Sequence, residues 1–178
     1  MLYSNKFIFL FQLLSFVVFL YIEKKNLKNP LFPVSTAYAA FDSFMHLCLY
    51  LILAMPLLKY RNEFIIGAFV LVFIDIDHIV KAWSFQIQKL VSLGRRPYTH
   101  SLLFAFIASA IVWFVSRNFI LSYMIFTSLI IHFLRDLIEG KTYIFFPNKK
   151  ISSYSFSAYV CSSFTAIIVN WAFVLICR

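Results

Sequence analysis

His132 and Asp136 stand four residues apart, a spacing that on a helix brings two side chains to one face, about 6 Å apart at Cβ, close enough to hold one cation. The segment Asp75-Ile76-Asp77-His78 offers a second set of donors. Asp75 and His78 share a face if the segment is helical, Asp75 and Asp77 if it is extended, and the spacing leaves open which Asp is a direct ligand. His46 and His100 complete the four histidines of the chain. Mixed imidazole and carboxylate donors suit zinc, with manganese or iron as alternatives, rather than the all-oxygen shell of calcium. Such a donor set also leaves room for two metals. One histidine at a helix end is commonly a cap or an interfacial group; four of them converging with three acids shift the balance toward a site.

The elements that must position these residues are membrane helices. Of the 178 residues 62% are hydrophobic and 13% charged, a balance far from that of a soluble domain. Apolar stretches recur at 7–22, 41–58, 63–77, 98–116, 118–138 and 156–177, which predicts an all-α polytopic integral membrane protein of about six transmembrane helices, with a range of four to six. Glu23, Lys24 and Lys25 follow the first stretch where a signal peptide would carry small residues, so a retained anchor is expected. Cys48, Cys161 and Cys177 are odd in number and lack CxxC spacing, which indicates neither a disulfide framework nor a cysteine zinc site.

Six spans place Lys6, Lys59, Arg61, Arg117 and Arg178 on one side of the membrane. Lys24, Lys25, Lys28, Lys81, Lys89, Arg95, Arg96, Lys141, Lys149 and Lys150 fall on the other. The richer side is expected to be cytoplasmic, and all four histidines and the acids Asp75, Asp77, Asp136 and Glu139 gather at its edge. The net charge of +9 is accounted for by these flanks and by anionic lipid headgroups, so membrane lipids are the expected partners and nucleic acid is not.

Residues 79–93 interleave Trp83, Phe85, Ile87, Leu90 and Val91 with Lys81, Gln86, Gln88 and Lys89. They read either as an interfacial amphipathic helix or as a loop with aromatic side chains at headgroup level. Leu93 to Ser101 follows, where Pro97 and Thr99 suit a helix entry, with Thr99 as the cap and His100 in the first turn. Arg95 and Arg96 suit a phosphate clamp built on paired hydrogen bonds, or ordinary positive-inside anchors.

In this order His46, Asp75-Ile76-Asp77-His78, Arg96-Pro97-Tyr98-Thr99-His100-Ser101, His132-Phe133-Leu134-Arg135-Asp136 and Phe146-Pro147 resemble the YdjM-like family of inner-membrane metal-dependent hydrolases. The resemblance covers about residues 41–147. It divides the chain into an N-terminal anchor and loop (1–40), the hydrolase membrane domain (41–147) and a C-terminal transmembrane helix (148–178). It implies a multi-pass plasma (inner) membrane protein, and a distant similarity to zinc-dependent phospholipase C and the S1/P1 nucleases. Two departures stand out: Arg95 replaces a His that the family often carries, and Pro97 stands where Gly is usual. Glu139-Gly140-Lys141-Thr142 also takes the place of a Thr-Pro-x-Gly.

The function these features imply is a membrane-bound metal-dependent hydrolase acting on a lipid or lipid-linked phosphoester at the cytoplasmic interface. The metal ligands are expected among His46, Asp75, Asp77, His78, His100, His132 and Asp136. Asp77 or Asp136, if not ligating, would accept a proton from water, while Arg95 and Arg96 steady the phosphate. A vanadium-haloperoxidase-like lipid phosphatase would need Pro-Ser-Gly-His after the Arg-Pro pair and Ser-Arg before the last His, and the chain has neither. The alternative from another class is a metal-binding transporter or assembly factor without catalysis.

Overall fold

A computed structural model of the chain describes residues 2–33, 35–84, 86, 97–139, 142–144 and 154–177. Among them are seven α-helices and no strand: α1 (Leu2–Lys28), α2 (Thr36–Leu53), α3 (Arg61–Phe73), α4 (Ile76–Ala82), α5 (Leu102–Ser116), α6 (Phe119–Glu139) and α7 (Phe156–Ile176), with a 3₁₀ turn at Met55–Lys59. The all-α membrane fold is as expected. Four helices, α1, α2, α6 and α7, are long and apolar enough to cross a bilayer. The stretches read at 63–77 and 98–116 appear as the shorter helices α3 and α5, each only about 20 Å long at 1.5 Å per residue.

α6 is the hub. Of its apolar window 72% lies inside the protein, against 17% for α1, whose side chains such as Phe7, Leu10, Leu14 and Tyr21 are exposed as a lipid-facing helix requires. α3 approaches α6 closely at Gly67, where any Cβ would press on Tyr50 Oη, Ser128 Oγ at 2.7 Å and Met124 Cγ at 2.8 Å. Serines start the helices: Ser35 Oγ accepts from Tyr38 N at 3.3 Å, Ser101 Oγ from Phe104 N at 3.2 Å and Ser155 Oγ from Ala158 N at 3.1 Å, each satisfying one orphan donor of a first turn.

Helix ends inside the bundle are closed by side chains from other helices. α2 stops at Leu53, ahead of Pro56, and its freed carbonyls are taken by Gln12 Nε2, 2.7 Å from Ile52 O, and Asn170 Nδ2, 2.9 Å from Leu53 O. Trp171 Nε1 in turn donates to Gln12 Oε1 at 2.7 Å. At the C-terminus of α7 Lys59 Nζ reaches Val174 O at 3.3 Å, a cation at the negative end of the helix dipole.

The chain breaks at Ile74-Asp75 between α3 and α4. Because α3 and α5 are short, this break and the turn before α5 reach into the bundle, level with His46 and His132. His46 lies almost three turns into α2, which begins at Thr36, and His132 about two turns from the end of α6. Along α2 and α6 the polar cluster therefore sits about 10 to 15 Å inside the helix ends, while at the α3–α4 break and the entry to α5 it lies at them.

Candidate metal centre

Seven donor side chains come together where α2, α6, the α3–α4 break and the entry to α5 meet. They form three overlapping groups, His46 with His132 and Asp136, Asp75 with His100 and His132, and Asp77 with His78 and His100. Within each group the ligand atoms lie within 4.8 Å of one another. These are the same seven residues whose types and spacing suggested a site. His132 and Asp136 do share a helix face, with Nε2 and Oδ2 3.4 Å apart. In the Asp75–His78 segment both acids face the cluster: Asp75 Oδ1 is 3.4 Å from His132 Nε2, and Asp77 Oδ1 is 3.3 Å from His100 Nε2.

Burial grades across the site. His46, His100, His132 and Asp136 are 1% exposed or less, whereas the side chains of Asp75, Asp77 and His78 keep 30%, 19% and 16% of their surface. The closed end is anchored by Asp136, whose Oδ2 lies 2.6 Å from His100 Nδ1 and whose Oδ1 lies 3.2 Å from His46 Nε2. The open end lies beside α4. Two aromatic side chains are exposed on its flanks, Trp83, which ends α4 in a left-handed conformation at φ 50°, and Tyr98, above whose ring Lys81 Nζ stands at 5.7 Å.

The chemistry of the donor set favours a cation. His132 Nδ1 lies 3.1 Å from Leu71 O, one of the carbonyls that the end of α3 leaves without a helical partner. That bond makes Nδ1 the donor and leaves Nε2 as a lone pair. In the neutral ring that lone pair points at Asp75 Oδ1 and Asp136 Oδ2, each 3.4 Å away, and Nε2 makes no hydrogen bond among the described residues. With His132 neutral, three acceptors that face one another, two of them buried and Asp75 at the open side, need a positive charge between them. Asp77 Oδ2 is likewise buried without a hydrogen-bond partner among the described residues. Spreading protons over the imidazoles is a poor remedy, because the rings of His46 and His132 stack at 4.0 Å and those of His100 and His132 meet at 4.7 Å. A divalent cation held by imidazole and carboxylate fits.

Sequence reasoning missed the residues behind His46. Arg135, 3% exposed, pairs through Nε with Glu23 Oε1 at 3.0 Å and through Nη1 with Asp42 Oδ1 at 2.5 Å, and Nη1 also stands 2.8 Å from His46 Nδ1. The signal was present: an arginine inside an apolar stretch demands a partner. Nothing in local spacing says that the partners come from α1 and α2. The helix entry differs too, since the cap of α5 is Ser101, not Thr99, and His100 stands just ahead of the first turn. Ser101 Oγ also donates to Tyr98 O at 2.7 Å, and its backbone forms a parallel bridge with Tyr143. Arg95, Arg96 and Phe146-Pro147 lie outside the described residues, as does most of residues 85–93, where an amphipathic helix was one of two expectations.

Compared with known families, the chain matches the one described as YdjM inner membrane protein over residues 41–177. The match starts where the motif resemblance starts and runs past Phe146-Pro147 to take in α7. No curated protein and no solved structure matches the chain.

Proposed function

We propose that this chain, which belongs to the YdjM inner membrane protein family and is a multi-pass protein of the inner membrane, is a metal-dependent hydrolase of a lipid or lipid-linked phosphoester. The observation that carries the reading is His132 Nε2, buried between two carboxylate oxygens and without a hydrogen bond among the described residues. His46, His132, Asp136, Asp75 and His100 would hold the ion, with His78 and Asp77 at the open end. Zinc is the first choice for such donors, manganese or iron the next. When bound, such an ion supplies Lewis acidity toward a phosphoryl oxygen and readies water for attack near neutral pH.

The chain's own residues supply the rest. Asp136 sets one oxygen against His46 and the other against His100, which makes it an orienting group or ligand rather than a proton acceptor. Asp77 offers Oδ2 without a partner at the accessible end, which favours Asp77 as the group that takes the proton from water. Arg95 and Arg96, shortly before Thr99-His100 in sequence, remain the phosphate-binding candidates. Trp83 and Tyr98 beside the open end are side chains suited to a membrane–water boundary, which supports a headgroup-bearing substrate. The richer set of basic flanks supports a cytoplasmic site.

Purified in detergent, the protein should carry zinc and hydrolyse a phosphodiester or phosphomonoester substrate. His132→Ala should lose the metal, and Asp77→Asn should keep it while kcat falls by about 10²-fold or more. Stoichiometric metal without hydrolysis of either substrate class would favour a metal-binding transporter or assembly factor instead.

A further inference from the structure

The first helix lies outside the matched family region, and most of its surface faces outward. Four of its residues do not, Gln12, Phe16, Phe19 and Glu23, and two of these are polar. Gln12 docks it on α2 and α7, and Glu23, 1% exposed, points to Arg135. A carboxylate buried at that cost persists through pairing or function, and the ion pair it makes ends on a metal-site histidine.

His46 Nδ1 has two competing neighbours. Asp42 O at 3.0 Å requires Nδ1 to carry the hydrogen, and Arg135 Nη1 at 2.8 Å requires Nδ1 to offer its lone pair. One ring nitrogen cannot do both. In the first tautomer Nε2 presents its lone pair to the cluster that contains His132 and Asp136. In the second, Nε2–H donates to Asp136 Oδ1 at 3.2 Å and the ring is withdrawn as a ligand. Which one holds depends on how firmly the guanidinium is kept elsewhere. Glu23 takes it at Nε, and Asp42 takes it at Nη1 through both Oδ1 and the carbonyl, at 2.5 and 3.3 Å.

We infer that Glu23 of α1, acting through Arg135, is a positioning residue for the metal centre. By drawing the guanidinium toward itself it leaves the His46 Nδ1–H to Asp42 O and turns the Nε2 lone pair into the site. α1 is then a working part of the centre as well as an anchor. This rests on the reading of His46, His132 and Asp136 as metal ligands.

The test is zinc affinity, measured by competition with a chromophoric chelator on the full-length protein in detergent, with Glu23→Gln set beside Gln12→Leu. Both variants remove a buried polar contact of α1, but only Glu23 leads to His46. Glu23→Gln should bind zinc about tenfold or more weakly, in the range seen when a group that orients a ligand is lost, while Gln12→Leu stays within about twofold of wild type. If Glu23→Gln does not yield folded protein, Glu23→Asp, which keeps the carboxylate one methylene short, should show a smaller loss in the same direction. Wild-type zinc binding with an unchanged affinity in the Glu23 variant would overturn this inference alone. Equal losses in the Glu23 and Gln12 variants would overturn it too, reducing α1 to a structural prop. A wild-type protein that binds no zinc would overturn the ligand assignment and this inference with it.

Discussion

The imidazole of His132 lies against that of His46, ring centroids 4.0 Å apart and planes within 16° of parallel. Two imidazolium ions cannot share such a stack without strong repulsion, so at most one of the two rings carries an extra proton, and as metal ligands both would be neutral. Protons compete for their lone pairs, so metal affinity should weaken as the pH falls. Metal content after equilibration across pH 5 to 8 measures this. Retention that is flat across that window would argue against histidine ligation.

Gly67 is where α3 and α6 nearly touch. Gly67→Ala would push against Ser128 Oγ and Met124 Cγ, and overpacking of this kind costs about 1 to 3 kcal/mol. Thermal unfolding in detergent should show a lower midpoint. Because Leu71 O, the partner of His132 Nδ1, lies one turn further along α3, the same variant should also bind metal less tightly.

Ser101 performs two tasks, capping α5 at Phe104 N and tying down Tyr98 O. Ser101→Ala removes both, at a cost of about 0.5 to 2 kcal/mol for the cap. Since His100 is the preceding residue, the loss should appear in metal affinity as well as in stability. Ser101→Thr keeps a hydroxyl and should restore most of both; a threonine variant no better than alanine would assign the effect to packing.

Much of the centre was legible because its members come in local sets. His132 with Asp136, and Asp75 with Asp77 and His78, declare themselves by spacing, and a charge within an apolar stretch is conspicuous. How far the site lies from the ends of α2 and α6 was not legible. It follows from the shortness of α3 and α5 and from the early start of α2 at Thr36, boundaries that an apolar run defines poorly. Nor could spacing join Glu23 or Asp42 to Arg135, since their meeting is a property of helix packing. Thr99 and Ser101 are both good caps, and the choice between them was made by tertiary ties to Tyr98 and Tyr143 that no local rule contains.

The order of the chain gives the Arg135 ion pairs a meaning for biogenesis. An arginine and an aspartate in the last third of α6 resist partitioning into lipid by several kcal/mol, yet two carboxylate partners of that arginine, Glu23 and Asp42, belong to helices made earlier. When α6 emerges from the insertion machinery, its counter-charges already stand in the bilayer. Insertion of the helix that organises the bundle is then expected to draw on the charges of the two helices synthesised first.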